Sequence, residues 1–262
     1  MKLRNTFMQI CTLVCLGALL TSCASSISHK KLDPAQQTKL AYIHYQLGLD
    51  ALGKEGMLPK AFDELMESNA ILPNQAHVMD ALAYAWLLRG NLKKSESYYV
   101  KAIQYGASAS IYNNYASLLN RLEHYLQAEK IARKALDDPR YPNQDLAFIN
   151  LGNALLGQEK YQEAIKVFQQ AKLFNVSNSL PNDRIAYTYY KQDKLREARL
   201  LYEAIIRKQH GNRDAVEGLI AVLNKQHDNN RARAVLNEYA QQAASPLDKA
   251  WALNQLDRLD RP

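Results

Sequence analysis

The side chains best suited to metal binding or nucleophilic attack in this 262-residue chain are six histidines and three cysteines. A catalytic ion needs three protein ligands at close spacing, drawn mostly from His, Cys, Asp and Glu. His29, His44, His77, His124, His210 and His227 supply no pair at that spacing with an acidic partner. A phosphate site would need a glycine-rich loop running into a lysine at a helix start, and the sequence has none. The stretch GASAS at 106–110 approaches a nucleophile elbow, yet it lacks the final glycine and the preceding strand that would hold the serine in a strained turn. The expectation is a protein that is not an enzyme and carries no metal and no cofactor. Cys11, Cys15 and Cys23 remain, and the apolar segment around them decides what they can do.

Lys2 and Arg4 precede TFMQICTLVCLGALL, a mostly apolar stretch at residues 6–20. Its length falls short of the ~20 residues that span a bilayer and suits the apolar part of a secretory signal. Leu20, Thr21, Ser22 and Cys23 resemble a bacterial lipobox. That resemblance implies that residues 1–22 are a lipoprotein signal peptide and that the mature chain begins at Cys23, carrying a diacylglycerol thioether. The alternative is an ordinary cleaved signal with a cysteine among its small residues. Ala24, where an aspartate would retain a lipoprotein in the inner membrane, implies the periplasmic face of the outer membrane. Loss of Cys11 and Cys15 with the leader leaves no disulfide framework. Loss of Lys2 and Arg4 lowers the formal charge from +7 to +5, an excess too mild to imply a nucleic-acid partner. The longest later apolar run is ALAYAWLL at 81–88, so membrane attachment is expected through the N-terminal lipid alone.

What would position these groups is a repeat. Residues 145–178 read DLAFINLGNALLGQEKYQEAIKVFQQAKLFNVSN, with Leu151, Gly152, Leu155, Tyr161, Ala164, Phe168 and Ala171 at places 7, 8, 11, 17, 20, 24 and 27 of a 34-residue frame. This resembles a tetratricopeptide repeat. Places 8 and 20 lie where two antiparallel helices cross, so small residues permit the approach and large apolar ones around them fill it. Place 20 recurs at Ala61, Ser95, Ala128, Ala164, Ala198 and Ala232, with separations of 34, 33, 36, 34 and 34 residues. Place 8 reads Gly48, Ala83, Ala116, Gly152, Ala186 and then Ile220, which predicts a wider crossing in the sixth unit. The expected fold is all-α, a right-handed superhelical solenoid of six tetratricopeptide repeats over 41–240 with a C-terminal capping helix. The units are placed at about 41–75, 76–108, 109–144, 145–178, 179–212 and 213–243. Residues 23–40 are read as lipidated Cys23 and a polar tether interrupted by Pro34. In 244–262, Ser245 is read as an N-cap, Pro246 as the first turn and Asp248 as completing a capping box. Trp251, Leu253 and Leu256 would cover the last apolar face, as a solenoid requires.

In repeats of this type places 2, 5, 9, 12 and 13 line the concave side. The resemblance therefore implies a partner-binding groove of Tyr42, Tyr45, Leu49 and Leu52, then His77, Asp80, Tyr84, Leu87 and Leu88. It continues through Asn113, Ser117, Asn120 and Arg121, through Ile149 and Asn153, and through Tyr187, Tyr190 and Lys191. The Tyr/Leu-rich end offers contact area at low entropy cost, although each tyrosine could instead pack against a neighbouring helix. Tyr45 and Leu49 stand where a carboxylate clamp would have Lys and Asn, so a free C-terminal carboxylate is not the expected ligand.

A lipobox, a short tether, six such repeats and a closing helix resemble the tetratricopeptide lipoproteins of type IV pilus biogenesis, the pilotin-type partners of the secretin. IYNNYASLL at 111–119 and the lengthened ALDDPRYPNQDLAFINLG at 135–152 add to the resemblance. It implies a protein partner, the secretin, whose subunits would be bound, brought to the outer membrane and helped to multimerise. A lipid-anchored scaffold for cell-wall hydrolases or synthases is the alternative of similar build.

Overall fold

The computed structural model describes residues 32–260. Cys23, the leader, residues 24–31 and His29 lie outside them. Thirteen helices occur among the described residues, twelve of them paired as hairpins. In chain order the hairpins are α1 (Pro34–Leu52) with α2 (Leu58–Ile71), α3 (Ala76–Leu88) with α4 (Leu92–Gln104), and α5 (Ala109–Arg121) with α6 (Tyr125–Leu136). They continue with α7 (Gln144–Gly157) and α8 (Tyr161–Phe174), α9 (Leu180–Lys191) and α10 (Leu195–Lys208), and α11 (Arg213–Lys225) and α12 (Asn229–Gln242). The last helix, α13 (Pro246–Asp260), packs on α12. No helix of the described residues is long and apolar enough to cross a membrane.

The small residues do what their recurrence predicts. Ala61, Ser95, Ala128, Ala164, Ala198 and Ala232 are all 0% exposed, each under the first helix of its own hairpin. Ser95 fits because its hydroxyl donates to the Ala83 carbonyl at 2.8 Å, so the crossing holds a satisfied polar group. At Gly152 a β-carbon would lie 2.4 Å from Cε1 of Phe168, so the glycine is required by the ring beneath it. The sixth hairpin has the least extensive close approach of the six, in keeping with Ile220 at its crossing. Its small residue has another use. A β-carbon on Gly218 would lie 2.2 Å from Cζ of Tyr202, so this glycine seats α11 on the preceding unit.

Junctions between units combine apolar filling with polar ties. The lengthened loop before α7 is plugged by Tyr141, buried with Ala135 and Ala147. Glu129 in α6 accepts from Arg133 at 2.8 Å and reaches the next unit through Gln158 at 2.9 Å and Lys160 at 3.2 Å. Burial pushes its carboxyl up, but the Arg133, Gln158 and Lys160 donors outweigh burial and hold the pKa at about 2, below the ordinary 4.5. A depressed acid contributes stability that is complete above its unfolded pKa and lost as pH falls through its folded pKa. The native chain is therefore expected to be more stable than Glu129→Gln by about 1–2 kcal/mol above about pH 5.5, an advantage fading towards pH 2, after discount for the exposed partners. Urea melts of both proteins across that range check it.

Two ends differ from the sequence expectation. The first helix starts at Pro34, not at 41, so the tether expected to run to residue 40 gives way to two turns of helix. Asp33 Oδ1 accepts from the Gln36 amide at 2.9 Å and Gln36 Oε1 accepts from the Asp33 amide at 3.3 Å, a capping box with proline at the first helical position. Pro34 thus begins the helix rather than interrupting a tether, because its missing N–H has no partner to lose there. At the other end Ser245 Oγ accepts from the Leu247 amide at 3.2 Å, but Asp248 faces Arg213 at 3.5 Å instead of closing a capping box. The closing face consists of Ala252, Trp251, Leu256 and Leu259. Leu253 is 51% exposed, since it lies roughly 100° round the helix from Ala252.

A periodic feature of the backbone has no counterpart in residue type. Gly90, Glu123, Glu159, Asp193 and His227 have φ of 78°, 61°, 60°, 61° and 58°. They occupy one place in five consecutive hairpins, just after the first helix, where a left-handed residue ends a helix. Four of the five are not glycine.

Candidate partner-binding groove

The first helices α1, α3, α5, α7, α9 and α11 touch in every neighbouring pair, whereas second helices of neighbouring units meet more sparingly, as where Arg231 of α12 pairs with Glu203 of α10 at 2.7 Å. A stack closer on one side than the other curves towards the closer side. The first helices therefore form the inner face, and the groove lies on them.

Along that face the expected lining splits by place. Places 2 and 9 are open: Tyr42 is 56%, Leu49 37%, Tyr84 46% and Tyr187 38% exposed, and Ser117 is exposed. Leu88 and Arg121 at place 13 are exposed as well. Places 5 and 12 turn towards the neighbouring first helix. Tyr45, Leu52, Leu87, Asn120 and Tyr190 are half-buried. Asn113 and Ile149 are buried, which corrects their assignment to the open groove. The Asn113 side chain accepts from Asn150 Nδ2 at 2.8 Å, its carbonyl accepts from the same group at 3.2 Å, and Asn120 donates to the Asn150 carbonyl at 2.8 Å. Together they form a polar seam between α5 and α7. The place next to Asn113 behaves similarly, with Asn114 donating to Asp80 at 3.1 Å.

At the N-terminal end, Tyr45 packs edge-on against His77 with centroids 4.5 Å apart and lies 6.2 Å from Tyr42. Burial raises the pKa of the Tyr45 phenol, helped by Asp80 and Tyr42. Burial also lowers that of His77. Asp80 is pushed up by burial, partly offset by the Asn114 hydrogen bond, and no cation pairs with it among the described residues. This end offers three large exposed apolar or aromatic side chains, Tyr42, Leu49 and Tyr84, and the half-buried Asp80 carboxyl.

The middle differs in chemistry. Asn120, Arg121, Tyr125, Asn153, Leu156, Gly157, Glu159, Arg184, Tyr187 and Lys191 line an open hollow of about 390 Å³. It brings together Asn120, Arg121, Asn153 and Tyr187 from three successive units. Arg121, Arg184 and Lys191 have no ion pair among the described residues, so the hollow is net basic. Sequence reading missed Arg184, Tyr125 and Glu159. Arg184 stands at place 6, outside the usual lining set, while Tyr125 begins α6 and Glu159 comes from the turn after α7. Tyr187 and Tyr190 stack at 6.2 Å, and Lys225 covers Tyr190 at 5.2 Å while pairing with Asp193 at 2.8 Å. Tyr190 is therefore less available than Tyr187.

No arrangement of three or more His, Cys, Asp or Glu side chains among the described residues could hold a metal ion. His44 is engaged with Glu64 at 2.7 Å, and the GASAS segment is the turn in which Ser108 caps α5.

Neither a protein-family model nor a curated protein matches the chain. Solved structures do. Pseudomonas aeruginosa PilF aligns over 84% of this chain and 99% of its own at 22% identity, with a TM-score of 0.66. PilW, a type IV pilus biogenesis factor, aligns over 78% of this chain and 94% of its own at 17% identity, with a TM-score of 0.71. A tetratricopeptide repeat protein from Parabacteroides merdae aligns over 84% and 86% at 16% identity, with a TM-score of 0.68. At these identities the likeness establishes the fold, and the chain is an all-α solenoid of six tetratricopeptide-like hairpins closed by a separate helix.

Proposed function

We propose that the protein is a lipid-anchored scaffold on the periplasmic face of the outer membrane that binds secretin subunits for type IV pilus biogenesis. Binding through the inner groove would bring the subunits to the membrane and promote their assembly into the multimeric pore. The observation that carries the reading is the open cluster of Tyr42, Leu49 and Tyr84 at the N-terminal end of the inner face. Large side chains left this exposed on an otherwise well-packed array are what a partner covers. The solenoid likeness to PilF and PilW supports the reading. The groove favours a partner segment with apolar or aromatic residues at one end and acidic residues reaching the basic hollow.

Pull-down from envelope extracts with the mature protein tests the partner, and enrichment of cell-wall enzymes in place of secretin would overturn the reading. The anchor is tested separately. Cys23→Ala is expected to leave the melting curve unchanged and to move the protein from the membrane to the soluble fraction, because lipid is the proposed attachment. A variant that still fractionates with the outer membrane would refute the lipobox.

A further inference from the structure

In antiparallel hairpins stacked with their first helices parallel, the turns within hairpins lie at one edge of the array and the turns between hairpins at the other. The start of α1 at Pro34 belongs to the second edge. The two edges differ in chemistry. The within-hairpin turns expose glycine and polar groups, with Leu88 and Leu126 standing singly beside them, the latter among Glu123, His124, Tyr125, Gln127 and Gln158. The between-hairpin edge carries a cluster instead: Leu173 is 81%, Phe174 54% and Val176 90% exposed, around the turn from α8 to α9. Leu247, 78% exposed, lies beside the last turn of the same edge.

This turn is held in place. The Asp145 carboxylate accepts from Asn175 and Asn178, each at 3.1 Å, and the Phe174 ring stacks on Phe148 with centroids 5.2 Å apart. Lys172 ends α8, and Arg207 and Lys208 end α10 at the next turn along.

We propose that this edge rests on the lipid surface, with Leu173, Phe174 and Val176 inserted among the headgroups as a second membrane contact that fixes the orientation of the solenoid. The inference rests on the lipid-anchor reading. Nine residues separate Cys23 from Asp33, a reach of at most about 35 Å when fully extended, so the edge where α1 begins stays close to the bilayer. A fixed apolar tip with basic flanks matches an interface that is apolar below and anionic above. With this edge down, the inner groove faces sideways along the membrane, open to a partner in the same membrane.

The test uses the full lipidated chain carrying Val176→Cys or Gln127→Cys, the latter an exposed site at the opposite edge. With Cys23 occupied by lipid, each variant has a single free thiol. Both are purified, reconstituted in phosphatidylethanolamine–phosphatidylglycerol vesicles and labelled with a membrane-impermeant maleimide. Insertion should slow labelling at 176 by about fivefold or more relative to the same protein in detergent, and at 127 by less than about twofold. Equal labelling of the two sites on vesicle-bound protein would overturn the inference and leave the anchor standing. Protection of 176 in native membranes but not in vesicles would also overturn it, since a protein would then cover the turn. A chain that fails to stay on the vesicles would overturn anchor and inference together.

Discussion

Phe168→Ala is expected to lower stability by about 3–5 kcal/mol, or the melting midpoint by roughly 6–20 °C for a chain of this size. Phe168 is 0% exposed and belongs to a cluster with Ala116, Ala132, Leu151, Leu155, Ala164, Ile165 and Ile185. That cluster draws on units 3, 4 and 5, so the cavity would loosen both junctions of the central unit as well as its own hairpin. Because each unit of a solenoid is stabilised by its neighbours, the variant should also unfold less cooperatively, with a broadened or split transition. The ring's fit to Gly152 supplies an internal control. Gly152→Ala alone should cost about 1–3 kcal/mol by overpacking, and much less in a Phe168→Leu background where the obstructing ring is gone. Additive losses in that double-mutant cycle would mean that the two residues are not in contact. An unchanged midpoint for Phe168→Ala would refute the assignment of the core.

The second large effect concerns binding without stability. Tyr42→Ala with Tyr84→Ala removes two side chains 56% and 46% exposed, so the melting midpoint should move little. Aromatic anchors in a well-packed interface contribute roughly 2 kcal/mol or more each, and about 1.4 kcal/mol is tenfold in affinity. Affinity for the proposed secretin partner should therefore fall well over tenfold, and secretin multimers should become scarce in cells that contain normal amounts of the variant. Tyr45 is left intact because it is packed against His77 and Tyr42, and its loss would mix packing with recognition. Normal multimer levels in the double variant would place the partner elsewhere.

The hairpin register was legible in the sequence because a close helix crossing excludes every side chain but the smallest, and six such positions recur at nearly constant separation. The start of α1 was legible too, in Asp33, Pro34 and Gln36, but a proline in a polar stretch was read as an interruption and not as a first helical turn. Burial of Asn113 was hidden for a different reason. An asparagine at a lining place looks solvent-facing until its partner Asn150, 37 residues on, is brought alongside. The left-handed positions after the first helices were hidden again, since Glu123, Glu159, Asp193 and His227 carry no glycine signal and the conformation goes with a backbone hydrogen bond, as from the His124 amide to the Leu119 carbonyl at 2.9 Å. Arg184 was overlooked because the frame assigns place 6 to neither core nor lining.

The unequal contact between first and second helices has a mechanical consequence. The inner seam is continuous, while the outer helices are joined mainly through the first helices between them, with the Arg231–Glu203 ion pair a direct tie between α12 and α10. Bending about the inner side therefore breaks little packing between outer helices, and the cost of a change in curvature is spread over five junctions instead of falling on one hinge. The Asn113–Asn150–Asn120 seam adds three hydrogen bonds to the central junction. With the deformation shared out in this way, the aromatic end of the groove can shift relative to the basic hollow while every hairpin remains folded.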